Sequence, residues 1–379
     1  MNTRVQTALT SAPANTYADR KKLRIVINGR FLTQGITGVQ RYALELVKAL
    51  DGLLHSGEID SSHCKVEIIA PQGAKDPGLS HIVFRQAGFL KGQLWEQFEL
   101  PFLTRNSLLI NLCNTAPVAK RNQFITIHDT AVWAVPHAYS FAYRAWYRLL
   151  LPSIAKMAKH VFTVSQFSKK ELIRWLGVPE KKCYVLKEGR EHIESVIPDD
   201  SIIAKHQLVG KPFVLAVSSL SPNKNFRAIV QALEWLGDAQ FDLVIAGGTN
   251  PRVFANEIQK MPDFVKHVGY VSDAELKSLY ENASCFVYPS LYEGFGLPPL
   301  EAMTCGCPVI VSEKASLPEV CGDAALYCDP LNPQSIAIQI NKIMSQPDLR
   351  SDLSLRGLKQ ADKFSWSQCA KEVWKEIMV

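Results

Sequence analysis

Two carboxylates eight positions apart, Glu293 and Glu301, bracket a glycine pair and a helix start in Tyr288-Pro-Ser-Leu-Tyr-Glu293-Gly-Phe-Gly296-Leu-Pro-Pro-Leu-Glu301. Gly294 and Gly296 carry no Cβ, so the backbone can approach a ligand closely and positive φ costs nothing there. Pro298 and Pro299 suit a first helical turn, whose N–H groups lack intrahelical partners. The N–H groups of Phe295 to Leu297 and the positive end of a helix dipole then converge on one place, which is how a backbone holds phosphate. Glu301, just inside the helix, can accept hydrogen bonds from a ribose diol, and Glu293 can reach hydroxyls of a sugar beyond the phosphates. The segment reads as a site for a nucleoside diphosphate sugar. A bare pair of acids at this spacing is also explained by a tight turn and a carboxylate complementing the helix dipole.

Three other constellations belong beside it. The turn Asn28-Gly-Arg-Phe-Leu-Thr-Gln-Gly35-Ile-Thr37-Gly38 follows an apolar run and precedes a periodic helix. It lacks the order of a dinucleotide fingerprint, and reads as a loop lining a cleft or as an ordinary βα turn. Ile125-Thr-Ile-His128-Asp129 ends a strand-like run with two titratable groups, where open α/β sheets bind ligands. Ser218-Ser219-Leu-Ser-Pro222-Asn223-Lys224 places a lysine at a helix start, where it can neutralise diphosphate charge as a bond to a sugar breaks. Gly247, at the end of another strand, has room to admit a donor, and Tyr270 follows a further strand.

These groups need a scaffold of strands and helices. Apolar runs at Leu23–Ile27, Val66–Ala70, Ser107–Ile110, Phe124–His128 and His160–Val164 alternate with helical stretches. The pattern restarts at Phe213–Val217, Phe241–Ala246, Val265–Gly269, Ser284–Tyr288, Pro308–Val311 and Ala325–Tyr327. Such runs are buried parallel strands with helices on both faces. The expected fold class is α/β, with two Rossmann-like domains. The expected division is an extension over residues 1–22, a first domain over 23–195, a second over 196–360 and a terminal helical segment over 361–379. Ser168-Lys-Lys-Glu171 and Ser272-Asp-Ala-Glu275 have the form of capping boxes.

Composition narrows the function. A chain of 379 residues with 47% hydrophobic and 21% charged content is globular and long enough for two cores. No run approaches the roughly 18 apolar residues of a membrane span, and the first 22 residues lack the apolar core of a signal peptide, so a cytoplasmic location is expected. Nine cysteines without a Cys-x-x-Cys pair indicate reduced thiols; Cys305 and Cys307 read as packing residues, and no metal site is expected. Residues 1–192 hold 26 Lys and Arg against 14 Asp and Glu, while the remainder hold 16 against 22. The basic half fits an anionic membrane surface or a phosphorylated acceptor. No motif supports nucleic acid as a partner. Tyr143, Arg144, Trp146, Tyr147, Arg148, Lys156 and Lys159, set around Leu149 to Leu151, suit either a peripheral contact with the inner face of the cytoplasmic membrane or a packed surface helix.

From Tyr288 through Cys305-Gly-Cys-Pro-Val-Ile310 to Ser316-Leu-Pro-Glu319-Val, the chain resembles the donor-binding signature of retaining glycosyltransferases of family 4. The likeness spans nearly the whole chain. It implies a GT-B fold whose last helix packs back on the first domain, and a nucleoside diphosphate sugar donor with no metal or other cofactor. Glu293, Lys224 and His128 would lie at the reacting sugar. Glu301, Gly294, Phe295, Gly296, Leu297, Ser219, Gly247 and Tyr270 would bind the donor, and Gly35, Thr37 and Gly38 would form the cleft loop. Likeness to mannosyltransferase-like members around His128-Asp129 favours GDP-mannose or a related GDP-deoxyhexose, with a glycan or lipid-linked saccharide of a surface polysaccharide as acceptor. In the family an arginine often stands where Ser219 is, with Arg227, Arg30 and Arg41 as candidate substitutes. Lys187 to His192 departs from the common Asn-Gly pattern and receives no role. A phosphorylase or nucleotide-sugar epimerase shares the architecture; a nicotinamide-dependent oxidoreductase and a non-catalytic sugar-binding module are the more distant alternatives.

Overall fold

A computed structural model of the chain describes residues 22–217, 222–237, 241–247, 262 and 264–378. Seven strands form the first sheet: β1 Leu23–Asn28, β2 Cys64–Ala70, β3 Val83–Gln86, β4 Leu108–Asn111, β5 Gln123–Thr126, β6 His160–Thr163 and β7 Cys183–Val185. Six form the second: β8 Phe213–Val217, β9 Asp242–Ala246, β10 Val265–Gly269, β11 Cys285–Tyr288, β12 Val309–Ser312 and β13 Ala325–Cys328. All pairings are parallel, in the orders β3-β2-β1-β4-β5-β6-β7 and β10-β9-β8-β11-β12-β13. The α/β class expected from the apolar runs is the class observed. β3 and β7 escape the sequence reading because they are short edge strands: β3 has three of its four residues exposed, so no apolar run marks it.

Both sheets reverse strand order once, between β1 and β4 and between β8 and β11. Loops leaving two adjacent strands diverge there and open a crevice at their carboxyl ends. The first crevice is braced by a buried polar network. Asn28 donates to Glu96 at 2.7 Å and to Asn111 at 3.0 Å, and Arg30 donates to Glu96 at 3.1 Å and Thr115 at 2.6 Å.

The chain crosses between the domains twice, and the crossings are fastened together. The Glu191 carboxylate accepts from the Ser365 hydroxyl at 2.6 Å and from the Trp366 backbone N–H at 2.9 and 3.0 Å. It thereby satisfies the start of the Trp366–Met378 helix. That helix buries Trp366, Cys369, Ala370, Val373, Trp374 and Ile377, a spacing that forms one apolar stripe. The stripe lies on the Gly38–Ser56 helix of the first domain, with the Tyr42 and Trp366 rings 5.8 Å apart and Lys371 2.8 Å from Glu58.

Helix starts divide the two expected caps. Ser272 and Glu275 form a reciprocal capping box. Ser168 does not: the N-cap of the Gln166–Leu176 helix is Ser165, and Ser168 sits inside the first turn, where its backbone N–H is the capped group.

A Cβ built on Gly189 would stand 2.0 Å from the Trp366 backbone nitrogen, whereas one on Gly35 meets nothing within 4 Å. Gly189→Ala is therefore expected to destabilise the chain by about 1–3 kcal/mol, and Gly35→Ala to leave stability unchanged, as read by thermal denaturation.

Candidate functional site

The site forms where β8 and β11 diverge. After β8 the Pro222–Lys224 turn ends at Asn225, which holds a left-handed conformation at φ 61° and starts the Phe226–Leu236 helix. Its amide donates to the carbonyls of Pro289 at 3.2 Å and Pro330 at 2.6 Å, and Leu291 N–H donates to the Asn223 carbonyl at 2.8 Å. These bonds bring the turn against the loop after β11. Lys224 Nζ consequently donates to Glu293 Oε1 at 2.6 Å and to the Tyr288 hydroxyl at 2.8 Å, and Ser290 Oγ donates to the same Glu293 oxygen at 2.5 Å. Burial opposes the lysine's charge, but the Glu293 carboxylate and the Tyr288 oxygen outweigh it and hold the ammonium above the usual lysine range. Burial, then the Glu293 charge, pushes the Tyr288 phenol up.

Gly296, at φ 116°, is the N-cap of the Leu297–Thr304 helix, with prolines in its first turn. A Cβ there would meet Leu317 at 2.8 Å in addition to the strained φ. Phe295 and Leu297 are buried, Phe295 edge-on to Phe364 at 5.7 Å, so their contribution at the helix start is backbone. Gly294 differs from the sequence reading: a Cβ on it would stand 2.6 Å from the His128 carbonyl oxygen, so its bare backbone admits the other domain. Ser165 and Ser168 hydroxyls donate to the Gly294 carbonyl at 2.6 and 3.0 Å. Glu319 adds to the contact by accepting from the N–H groups of Gln166 and Phe167, the open start of a helix.

His128 is only 4% exposed. Nε2 lies 3.0 Å from the Leu112 carbonyl and therefore carries the proton, while Nδ1 faces Glu188 Oε1 at 3.7 Å and the ring meets Tyr42 edge-on at 4.7 Å. Both nitrogens face protein. The imidazole expected at a sugar hydroxyl is turned inward, with Nε2 donating to the Leu112 carbonyl and Nδ1 facing Glu188 beyond hydrogen-bond distance. Its backbone, and Asp129 beside it, face the Glu293 loop instead. Burial raises the Asp129 carboxyl, which accepts from Ala131 N–H at 2.8 Å. Burial likewise raises Glu188, whose Oε2 has no partner among the described residues.

Glu301 Oε1 lies 2.8 Å from His192 Nε2, and Oε2 accepts from the Tyr280 hydroxyl at 3.2 Å. His192 Nδ1 lies 3.1 Å from Trp366 Nε1. The Lys187–His192 segment thus reaches Glu301 on the Leu297–Thr304 helix although the sequence reading left it without a role.

The remaining expected positions are more peripheral. Gly35 and Thr37 lie on an exposed loop and Gly38 opens the helix after it; neither glycine meets a steric demand, and the Thr37 hydroxyl bonds Gln40. Gly247, at φ 143°, donates to the Gly269 carbonyl at 2.8 Å, and Tyr270 is 76% exposed. Ser219 lies outside the described residues. Of the candidate cations, Arg30 is paired with Glu96, Arg41 reaches across to Asp273 at 2.5 Å, and Arg227 is exposed. Tyr288 and Ser290, missed earlier, sit within the motif and were legible from their closeness to Glu293. Glu188, His192, Tyr280 and Trp366 carry no local signal.

If the ion pair is an energetic unit, Lys224→Met and Glu293→Gln should not be additive. A double-mutant cycle by chemical denaturation is expected to give a coupling of about 1–2 kcal/mol.

The family profile "Glycosyl transferases group 1" matches residues 199–360, and "Glycosyltransferase Family 4" matches residues 36–192. The chain is 29% identical over 92% of its length to O-antigen chain mannosyltransferase B of Escherichia coli, covering 98% of that protein. It is 29% identical over 86% of its length to O-antigen chain mannosyltransferase RfbU of Salmonella typhimurium, covering 92% of that one. Among solved structures, Anabaena HepE in complex with UDP and glucose superposes with a TM-score of 0.72 at 16% identity, over 94% of this chain and 99% of that one.

Proposed function

From its membership of the family 4 glycosyltransferases of GT-B fold, to which the chain belongs, we propose that it is a retaining mannosyltransferase. The donor is GDP-mannose or a related GDP-deoxyhexose, and the acceptor is a hydroxyl of a growing surface polysaccharide or lipid-linked saccharide. That the two O-antigen relatives are mannosyltransferases supports the sugar and the pathway class. The observation that carries the reading is the Lys224–Glu293 pair beside the start of the Leu297–Thr304 helix, at the strand-order reversal of the second sheet.

The diphosphate rests on the N–H groups of Phe295 to Leu297 at the positive end of that helix. Lys224, shared with Glu293, meets the charge that grows on the diphosphate as its oxygen separates from the anomeric carbon. Glu293, immobilised by Lys224 and Ser290, accepts hydrogen bonds from sugar hydroxyls and fixes the ring. The acceptor oxygen bonds to the anomeric carbon on the face the diphosphate leaves, and its proton passes to the departing diphosphate oxygen. A front-face course is supported by the state of the nearby carboxylates, since Glu293 is tied to a cation and Asp129 is capped by Ala131 N–H. His128 and Glu188 act as positioning groups behind this centre.

Work at a membrane surface is the second part of the proposal. No helix among the described residues is long and apolar enough to cross a membrane. The Phe141–Met157 helix turns Leu150 and Leu151 inward and leaves Phe141, Trp146 and Leu149 exposed. Trp146 shares a groove of about 400 Å³ with Leu94, Phe98 and Val118, and Phe102 stands exposed one turn beyond Phe98. Arg105 follows Phe102 by three residues, and Arg144 and Arg148 flank Trp146 on its helix, a combination of charge and apolar surface suited to anionic lipid at the inner face of the cytoplasmic membrane.

Transfer is tested by following release of nucleoside diphosphate with and without a mannan-type acceptor, across GDP, UDP, ADP and dTDP sugars. Acceptor-dependent release from GDP-mannose is expected, with Lys224→Ala and Glu293→Ala each lowering kcat by about 10²–10³-fold. Wild-type rates in both variants would mean the chemistry lies elsewhere. Vesicle co-sedimentation checks the surface: binding to phosphatidylglycerol should exceed that to phosphatidylcholine, weaken with salt and drop in a Phe102→Ser, Trp146→Ser variant.

A further inference from the structure

Glu301 is held from two sides by groups that belong to different parts of the molecule. Tyr280 comes from the Asp273–Asn282 helix of the second domain, and its phenol is raised by burial and then by the Glu301 charge, so it remains an O–H donor. His192 comes from the first crossing of the chain, and its orientation is set by Trp366 at the second. An indole nitrogen only donates. His192 Nδ1 therefore presents its lone pair to Trp366, and the ring proton sits on Nε2, aimed at Glu301 Oε1.

Each carboxylate oxygen has two acceptor directions. His192 and Tyr280 occupy one on each oxygen and, among the described residues, no other group bonds the carboxylate, whose side chain keeps 11% exposure; one direction on each oxygen is left for a ligand. Two parallel acceptors on one rigid carboxylate match two vicinal hydroxyl donors. We infer that His192 and Tyr280 are positioning residues that fix the Glu301 carboxylate for bidentate capture of a ribose 2′,3′-diol, and that Trp366 sets the histidine tautomer this requires. The inference rests on the donor-site reading of the Glu293–Glu301 loop. It makes preference for ribonucleotide over 2′-deoxyribonucleotide donors depend on residues outside the nucleotide contact. It also ties ribose recognition to the crossing segments through which the domains are joined.

Calorimetric titration with GDP, UDP and their 2′-deoxy counterparts tests it, with folding of each variant checked by circular dichroism melting. In the wild type, loss of the 2′-hydroxyl is expected to weaken binding about 10-fold or more, the scale of a hydrogen bond to a charged group. Tyr280→Phe and His192→Phe should each cut that penalty to less than about 3-fold while binding through the diphosphate persists. His192→Gln, which keeps an N–H donor, should restore most of it, and Trp366→Phe should reduce it. Should His192→Phe fail to fold, the isosteric Tyr280→Phe carries the test. A wild-type penalty in Tyr280→Phe and His192→Phe, with its loss confined to Glu301→Gln, would overturn the inference and leave the donor site standing. Equal binding of ribose and deoxyribose forms by the wild type would remove the diol role of Glu301 and the inference with it. No binding of any of the four nucleotides would bring down the donor-site reading itself.

Discussion

The close approach of Gly294 to the His128 carbonyl sets where everything else in the site lies. A side chain at 294 would collide with that oxygen at 2.6 Å, so this approach of the two loops requires a bare backbone at 294. Ser165 and Ser168 then converge on the Gly294 carbonyl, Tyr292 reaches the Thr130 hydroxyl at 3.0 Å, and Glu319 closes on the start of a first-domain helix. Glu293 is delivered to the domain boundary because its neighbour is pinned there. The same contact carries Asp129 toward the pair formed by Glu293 and Lys224.

Charge is the second constraint. A buried ammonium is stable only with a partner, and Lys224 has Glu293. The pair brings little net charge to a ligand, and Arg30 and Arg41 are committed to Glu96 and Asp273. On the donor reading, a diphosphate therefore depends on backbone N–H groups and the helix start, with Lys224 shared between two anions.

Much of the fold could be read from the chain because parallel strands buried on both faces are nearly continuous apolar runs. β8 and β10 fall at the residues the runs marked, and β11 and β12 within one position of them. β3 and β7 could not be read, since an edge strand with polar neighbours has no such run. The Ser272 box was legible while Ser168 was not, because a serine three residues earlier in the chain, Ser165, takes the cap and frees Ser168 to bond Gly294.

The sequence by itself determined the chemistry of one loop: its carboxylates, its glycine N-cap, its prolines and the lysine that answers it. Those are local features, and local features are fixed by residue type and spacing. Only the tertiary structure decided which partner each group takes. It turned His128 inward against Leu112 and Glu188, gave Gly294 to the facing domain, and brought His192 and Trp366 from separate crossings to stand behind Glu301. Contacts between residues 109 and 174 positions apart, such as these last, leave no periodicity in a chain. They arise because polar groups buried where two domains are joined by short crossings find their partners across the boundary rather than along the chain.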